Sequence, residues 1–173
     1  MSKLNKFISG VAFATLLTGQ AVAGTLGATS TDNSVVSLEI VDRVQITNVD
    51  DIVLGAYGGT GVLSGSTQYC VFRNGGDDYK VTLTTDTGSF KVSSIISGDN
   101  INFTAKIDSD ADASDGVAVV YNIATAAMAG AATTNCGAAD NGAIEVSFAQ
   151  ADLLAASSAA DYTATMTILV EPI

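Results

Sequence analysis

The chain has 173 residues, 47% of them hydrophobic and 14% charged, with a formal charge of −11, no histidine and no tryptophan. So acidic a balance disfavours nucleic acid and anionic membranes as partners, because such surfaces are held by Lys and Arg. Without histidine the commonest general base and the commonest metal ligand are missing, and no nucleophile-and-base pattern is in view, so no catalytic, cofactor-binding or metal residue is assigned.

Residues 1–23 carry Lys3 and Lys6, then an apolar run from Phe7 to Leu17, then Ala21-Val22-Ala23. This is the pattern of a secretory signal peptide cleaved before Gly24, with an apolar run too short for a permanent membrane helix. The expected mature chain is exported, forms one domain with a real core, and has its formal charge moved from −11 to −13 by the loss of Lys3 and Lys6. In an oxidising compartment Cys70 and Cys136 are expected to bond to each other, which the chain-entropy model values at about 4 kcal/mol. A reactive thiol would lack a histidine partner.

Gly24 to Asn33 is small and polar and reads as a flexible leader. Ser34 to Tyr57, SVVSLEIVDRVQITNVDDIVLGAY, then carries two alternating segments in succession. Val36, Leu38 and Ile40 share one face of the first, and Val44 and Ile46 one face of the second. No Gly, Pro or Asn-Gly turn separates them, so they cannot form a tight hairpin. The first is expected to run on past the body to which the second belongs, as a strand meant for another molecule would. The alternative is that Ser34 to Val41 pairs within its own domain and closes a monomeric secreted sandwich.

After Ile52 to Leu54, the stretch GAYGGTGVLSGS reads as a Gly-rich loop, with no Lys-Ser or Lys-Thr to make it a phosphate loop. Tyr69 to Arg73 and Tyr79 to Thr84 read as strands, expected to form a hairpin across Asn74 to Asp78. Phe90, Val92 and Ser94 follow, then the alternation Ile101, Phe103, Ala105, Ile107. Short strands with regularly spaced turn signals indicate an all-β antiparallel sandwich.

Asp108 to Gly116, DSDADASDG, imitates the opening of an EF-hand calcium loop with Asp108, Asp110 and Asp112. The sixth position is Ala113 and the twelfth Val119, where such a loop has Gly and Glu, so the stretch reads mainly as a solvated acidic hairpin tip. Val117 to Ile123 is expected as a strand, Ala124 to Thr134 as a small-residue loop, Ala143 to Phe148 as a strand and Gln150 to Ala156 as a helical turn. In Asp161 to Val170, Tyr162, Ala164, Met166, Ile168 and Val170 lie on one face with threonines opposite. This is the strongest alternation in the chain, and it stops three residues before the last one. A further strand beside it is therefore expected to come from elsewhere.

These features resemble the archaic, Csu-type chaperone-usher pilins and the related spore coat protein U domains. The matching residues are the leader strand SVVSLEIV, a first body strand ending in IVLGAY, Cys70 within YCVFRNGGDDYKVTLT, Asn135-Cys136, and the ending ADLLAASSAADYTATMTILVEP. The chain departs from the family in lacking a cysteine within Val44 to Asn48 and in having Asp161 before Tyr162. The resemblance implies an immunoglobulin-like sandwich, residues 42–173, that lacks its last strand. Residues 24–41 would serve as leader and donor strand for the next subunit, through Val36, Leu38 and Ile40. The acceptor groove would be walled by the first body strand and by Tyr162, Ala164, Met166, Ile168 and Val170. Implied partners are identical or related pilin subunits in a head-to-tail polymer, a periplasmic chaperone and an outer-membrane usher, with the fibre at the cell surface serving adhesion or biofilm formation. The competing expectation is a self-complete coat or matrix protein of the spore coat type. A carbohydrate-binding module is disfavoured by the absence of tryptophan platforms.

Overall fold

Residues 26–159 and 161–173 are described in the structure, a computed structural model. The expected signal peptide, residues 1–23, lies outside them. The chain divides into two units, Met1–Glu39 and Ile40–Ile173. Of the first, residues 26–39 are described, and they contain neither helix nor strand.

The second unit is an antiparallel β-sandwich built from short strands whose inner faces alternate with polar outer ones. One sheet has five strands in the order β1 (Val44–Thr47), β2 (Leu63–Arg73), β9 (Gly142–Phe148), β6 (Thr104–Asp108) and β7 (Val117–Ala118). The second has three, in the order β10 (Met166–Pro172), β3 (Asp78–Thr85) and β8 (Met128–Ala129). A two-stranded ribbon joins β4 (Lys91–Ser93) to β5 (Asn100–Asn102), and the short helix α1 (Gln150–Ala155) follows β9. Every ladder between these strands is antiparallel. No helix among the described residues is long and apolar enough to cross a membrane.

The main core lies between the two sheets. Tyr69 and Val71 of β2, Ala105 and Ile107 of β6 and Ile144 of β9 meet Tyr79, Val81 and Leu83 of β3 and Met128 of β8. A second cluster, Ile101, Val146 and Phe148, sits under the ribbon and is bordered by Ile52, Leu54 and Tyr162. Cys70 points to the opposite face of β2 from Tyr69 and Val71, yet it is fully buried. The reason is the Cys70–Cys136 disulfide, which lays the loop between β8 and β9 over that face. Asn141, at the end of this loop, accepts from the Val71 N–H at 2.7 Å and donates to the Val71 carbonyl at 3.0 Å. One amide side chain thus replaces the ladder just before β9 begins.

Several expected elements differ. Tyr69 to Arg73 and Tyr79 to Thr84 do not form a hairpin; β2 and β3 belong to different sheets. Gly75 and Gly76, at φ of 85° and 75°, turn the chain from one sheet to the other. The β2 strand also begins earlier, at Leu63, inside the stretch read as a Gly-rich loop. Gly65 leaves space there for Leu54 and Ile52, since a Cβ would stand 2.5 Å from Leu54 Cδ2 and 2.9 Å from Ile52 Cγ2. The alternation Ile101 to Ile107 is real, but Phe103 divides it: Ile101 pairs in the ribbon and Ala105 in the large sheet. Of Val117 to Ile123 only two residues pair as a strand. Val119 still donates to the Ala105 carbonyl, and the chain then crosses to the side of β3 that β8 shares, where the N–H groups of Asn122 and, farther on, Thr125 donate to the carbonyls of Leu83 and Val81.

Candidate functional site: two free strand edges

Among the described residues, β1 and β10 are terminal strands, one in each sheet, that carry several apolar residues inward. β1 pairs with β2, Val44 opposite Arg73 and Thr47 opposite Cys70, and is the terminal strand of its sheet. β10 pairs with β3 from Met166 opposite Thr85 to Pro172 opposite Tyr79, and is terminal in the other. β1 and β10 lie close to each other, and no ladder joins them. Among the described residues no strand pairs with their outer edges, where the backbone groups of an edge strand can take a further one.

The side chains that flank this gap are half-buried where their neighbours are fully buried. On β3 the inward Tyr79, Val81 and Leu83 are at most 1% exposed. On β1 and β10 the inward Val44, Ile46, Met166, Ile168 and Val170 touch the same core and remain partly open. The half-covered inner faces beside these two edges form an apolar slot, which β1 and β10, lying within 8 Å of each other, would have to widen to seat a further strand.

Of the expected groove residues, Met166, Ile168 and Val170 are brought together on β10. Tyr162 and Ala164 precede the strand and are not in its ladder. Tyr162 packs against the second cluster and donates its hydroxyl to the Ser157 carbonyl at 2.8 Å. The alternation is interrupted because residues 161–165 are engaged elsewhere. Thr163 bridges Ser93, and Thr165 exchanges bonds with Asp86. Asp161 accepts from the Ser94 hydroxyl at 2.5 Å and from the N–H groups of Ile95 and Ile96 at 2.9 and 3.1 Å. Those bonds, the Ser94 hydroxyl first, hold its carboxyl below the ordinary carboxylate value. An acidic residue just before the last strand is the only sequence signal of this turn-fastening role.

The expected donor residues Val36, Leu38 and Ile40 are 92%, 85% and 74% exposed. Ser34 to Val41 was expected as a strand and is not one, because an alternating segment becomes a strand only when something pairs with it, and no ladder among the described residues includes it. The expectation that it closes its own domain is likewise not what the ladders show.

At the entry to β1, Asp42 makes a bidentate pair with the guanidinium of Arg73. The distances are 3.0 Å from Nε to Oδ1 and 2.7 Å from Nη2 to Oδ2. Arg73 is only 6% exposed. The guanidinium holds the Asp42 carboxyl below its ordinary value, and the carboxylate in turn raises Arg73. Composition and periodicity did not single out either residue.

Asp108, Asp110 and Asp115 bring one carboxylate oxygen each within 4.8 Å of one another, whereas Asp112 caps the turn at Ser114. Burial, then the hydrogen bond with Asp115, raises the Asp108 carboxyl. The acidic tip is thus a self-bonded turn with crowded negative charge. Compared with protein-family models and with curated proteins, the chain matches none.

Proposed function

We propose that this chain is a structural subunit of a bacterial surface pilus that polymerises by donor-strand exchange. The observation that carries the reading is the half-covered apolar slot between β1 and β10, in a chain that also bears the free alternating segment Val36, Leu38, Ile40. A strand of that pattern from a neighbouring copy satisfies both edges and covers Ile46, Met166, Ile168 and Val170. Burying the three donor side chains is worth roughly 5–8 kcal/mol before ordering costs. Each copy gives one strand and receives one, so the contact is head-to-tail and open, and the product is a filament.

In this reading the chain is exported, the slot is held by a periplasmic chaperone until assembly at an outer-membrane usher, and the fibre serves adhesion or biofilm formation. The resemblance of SVVSLEIV and of the ending ADYTATMTILVEP to archaic chaperone-usher pilins supports it. The test uses two crippled chains. Leu38→Asp with Ile40→Asp cannot donate, and Ile168→Asp cannot accept. Neither alone should form multimers, while a mixture should yield heterodimers and nothing longer. Polymers from either variant by itself would exclude the mechanism.

A further inference from the structure

The strongest unused feature of the body is the set of bonds on the three residues between Ile40 and β1. The Val41 carbonyl accepts from Asn74 Nδ2 at 3.2 Å. The Arg43 N–H donates to Asn74 Oδ1 at 2.7 Å, and the Arg43 carbonyl accepts from the Asn74 N–H at 3.2 Å. Asp42 between them is gripped by both branches of Arg73. Each of the residues 41, 42 and 43 is therefore fastened to the turn that ends β2. Arg73 is in turn fixed by two backbone carbonyls: Nη1 donates to Asp78, at the start of β3, and Nη2 to Ile173, just past β10, at 2.6 Å.

We propose that Asp42, Arg73 and Asn74 form a stiff joint between the donor segment and the body, so that successive subunits of the filament are coupled without a freely rotating linker. The inference rests on the polymer reading above. Flexible connections are made of Gly and Ser with solvated backbone. Here, every residue between the last donor side chain and the first residue of β1 has its backbone or its carboxylate held. The hold is a planar, bidentate, charge-assisted pair on a guanidinium that is itself nearly buried. Arg73 also ties the joint to the Ile173 carbonyl, next to the end of β10, one wall of the slot. Load applied to the donor segment passes through Arg73 into the wall that grips the neighbouring subunit's strand. Arg73, Asp42 and Asn74 are positioning residues: their bonds fall on residues 41–43.

The experiment compares filaments of the full chain with those of Asp42→Asn, of Asp42→Ala combined with Asn74→Ala, and of Glu145→Gln as control. The control loses the ion pair of Lys106 with Glu145, which spans β6 and β9. Heat-sensitive multimers are counted in SDS gels, bending persistence length is measured on electron micrographs, and thermal unfolding of each monomer is recorded. The joint predicts ladders like wild type from Asp42→Asn and a persistence length that falls several-fold, further in the double variant. It predicts wild-type stiffness for Glu145→Gln at similar monomer stability. Multimers of unchanged stiffness in Asp42→Asn would overturn the joint and leave the polymer reading standing. A wild-type chain that forms no multimers would overturn the polymer reading itself.

Discussion

Gly142 stands directly opposite Tyr69 in the β2–β9 ladder, and a Cβ at position 142 would stand 2.3 Å from both Cε2 and Cζ of the Tyr69 ring. Tyr69 is fully buried and cannot yield. Gly142→Ala should therefore lower the unfolding free energy by about 1–3 kcal/mol through overpacking, measured by urea denaturation. Gly58→Ala, where a Cβ meets nothing within 4 Å, should leave it nearly unchanged.

The disulfide closes a separation of 66 residues between β2 and the loop over its outer face. Replacing both Cys70 and Cys136 by Ala should lower stability by about 4 kcal/mol in the chain-entropy account. The midpoint of denaturant unfolding, compared with that of the oxidised wild type, measures it.

Leu83 and Ile168 face each other across the β3–β10 ladder with unequal burial. In the isolated subunit Leu83→Ala should cost about 2–5 kcal/mol, as for any closed core site. Ile168→Ala should cost less there, about 1–2 kcal/mol, because the side chain is already partly open. In the proposed polymer the order should narrow or reverse, since there a donor strand would complete the cover over Ile168. Thermal melts of monomer and of SDS-resistant multimers of both variants measure this.

Acid should weaken the fold through Asp42 and Asp161. Both are held below the ordinary carboxylate value of 3.8, Asp42 by Arg73 and Asp161 chiefly by Ser94. Their contribution is complete above the unfolded value and is lost as pH falls through the lower folded one, so the decline should set in below about pH 4. Asp108 has the opposite sign. Its carboxyl is raised by burial, so its charge opposes folding above the unfolded value. Asp108→Asn should raise the melting temperature at pH 7 and leave it unchanged at pH 3, as calorimetry at the two values would show.

The sandwich was legible because its strands alternate. Tyr79, Val81 and Leu83, and likewise Ile144, Val146 and Phe148, announce an inner face by period two alone. Sheet membership was not legible. The Asn74 to Asp78 turn has the composition of a hairpin, but it carries the chain between sheets, because two glycines with positive φ and the bonds of Arg73 redirect it. The slot was half legible. Met166, Ile168 and Val170 alternate cleanly, while Tyr162 and Ala164 continue the pattern without the strand, since Asp161 and Thr163 are drawn to the ribbon. The Asp42–Arg73 pair left no periodic signal, being a contact between two charged residues 31 positions apart.

The central claim is strand exchange between copies through Ser34 to Val41. Material sheared from the cell surface, run in SDS with and without boiling beside the Leu38→Asp, Ile40→Asp variant, tests it most directly. The account predicts a ladder of multimers in unboiled wild type that collapses on boiling and is absent from the variant. A single monomer band in every lane would contradict it.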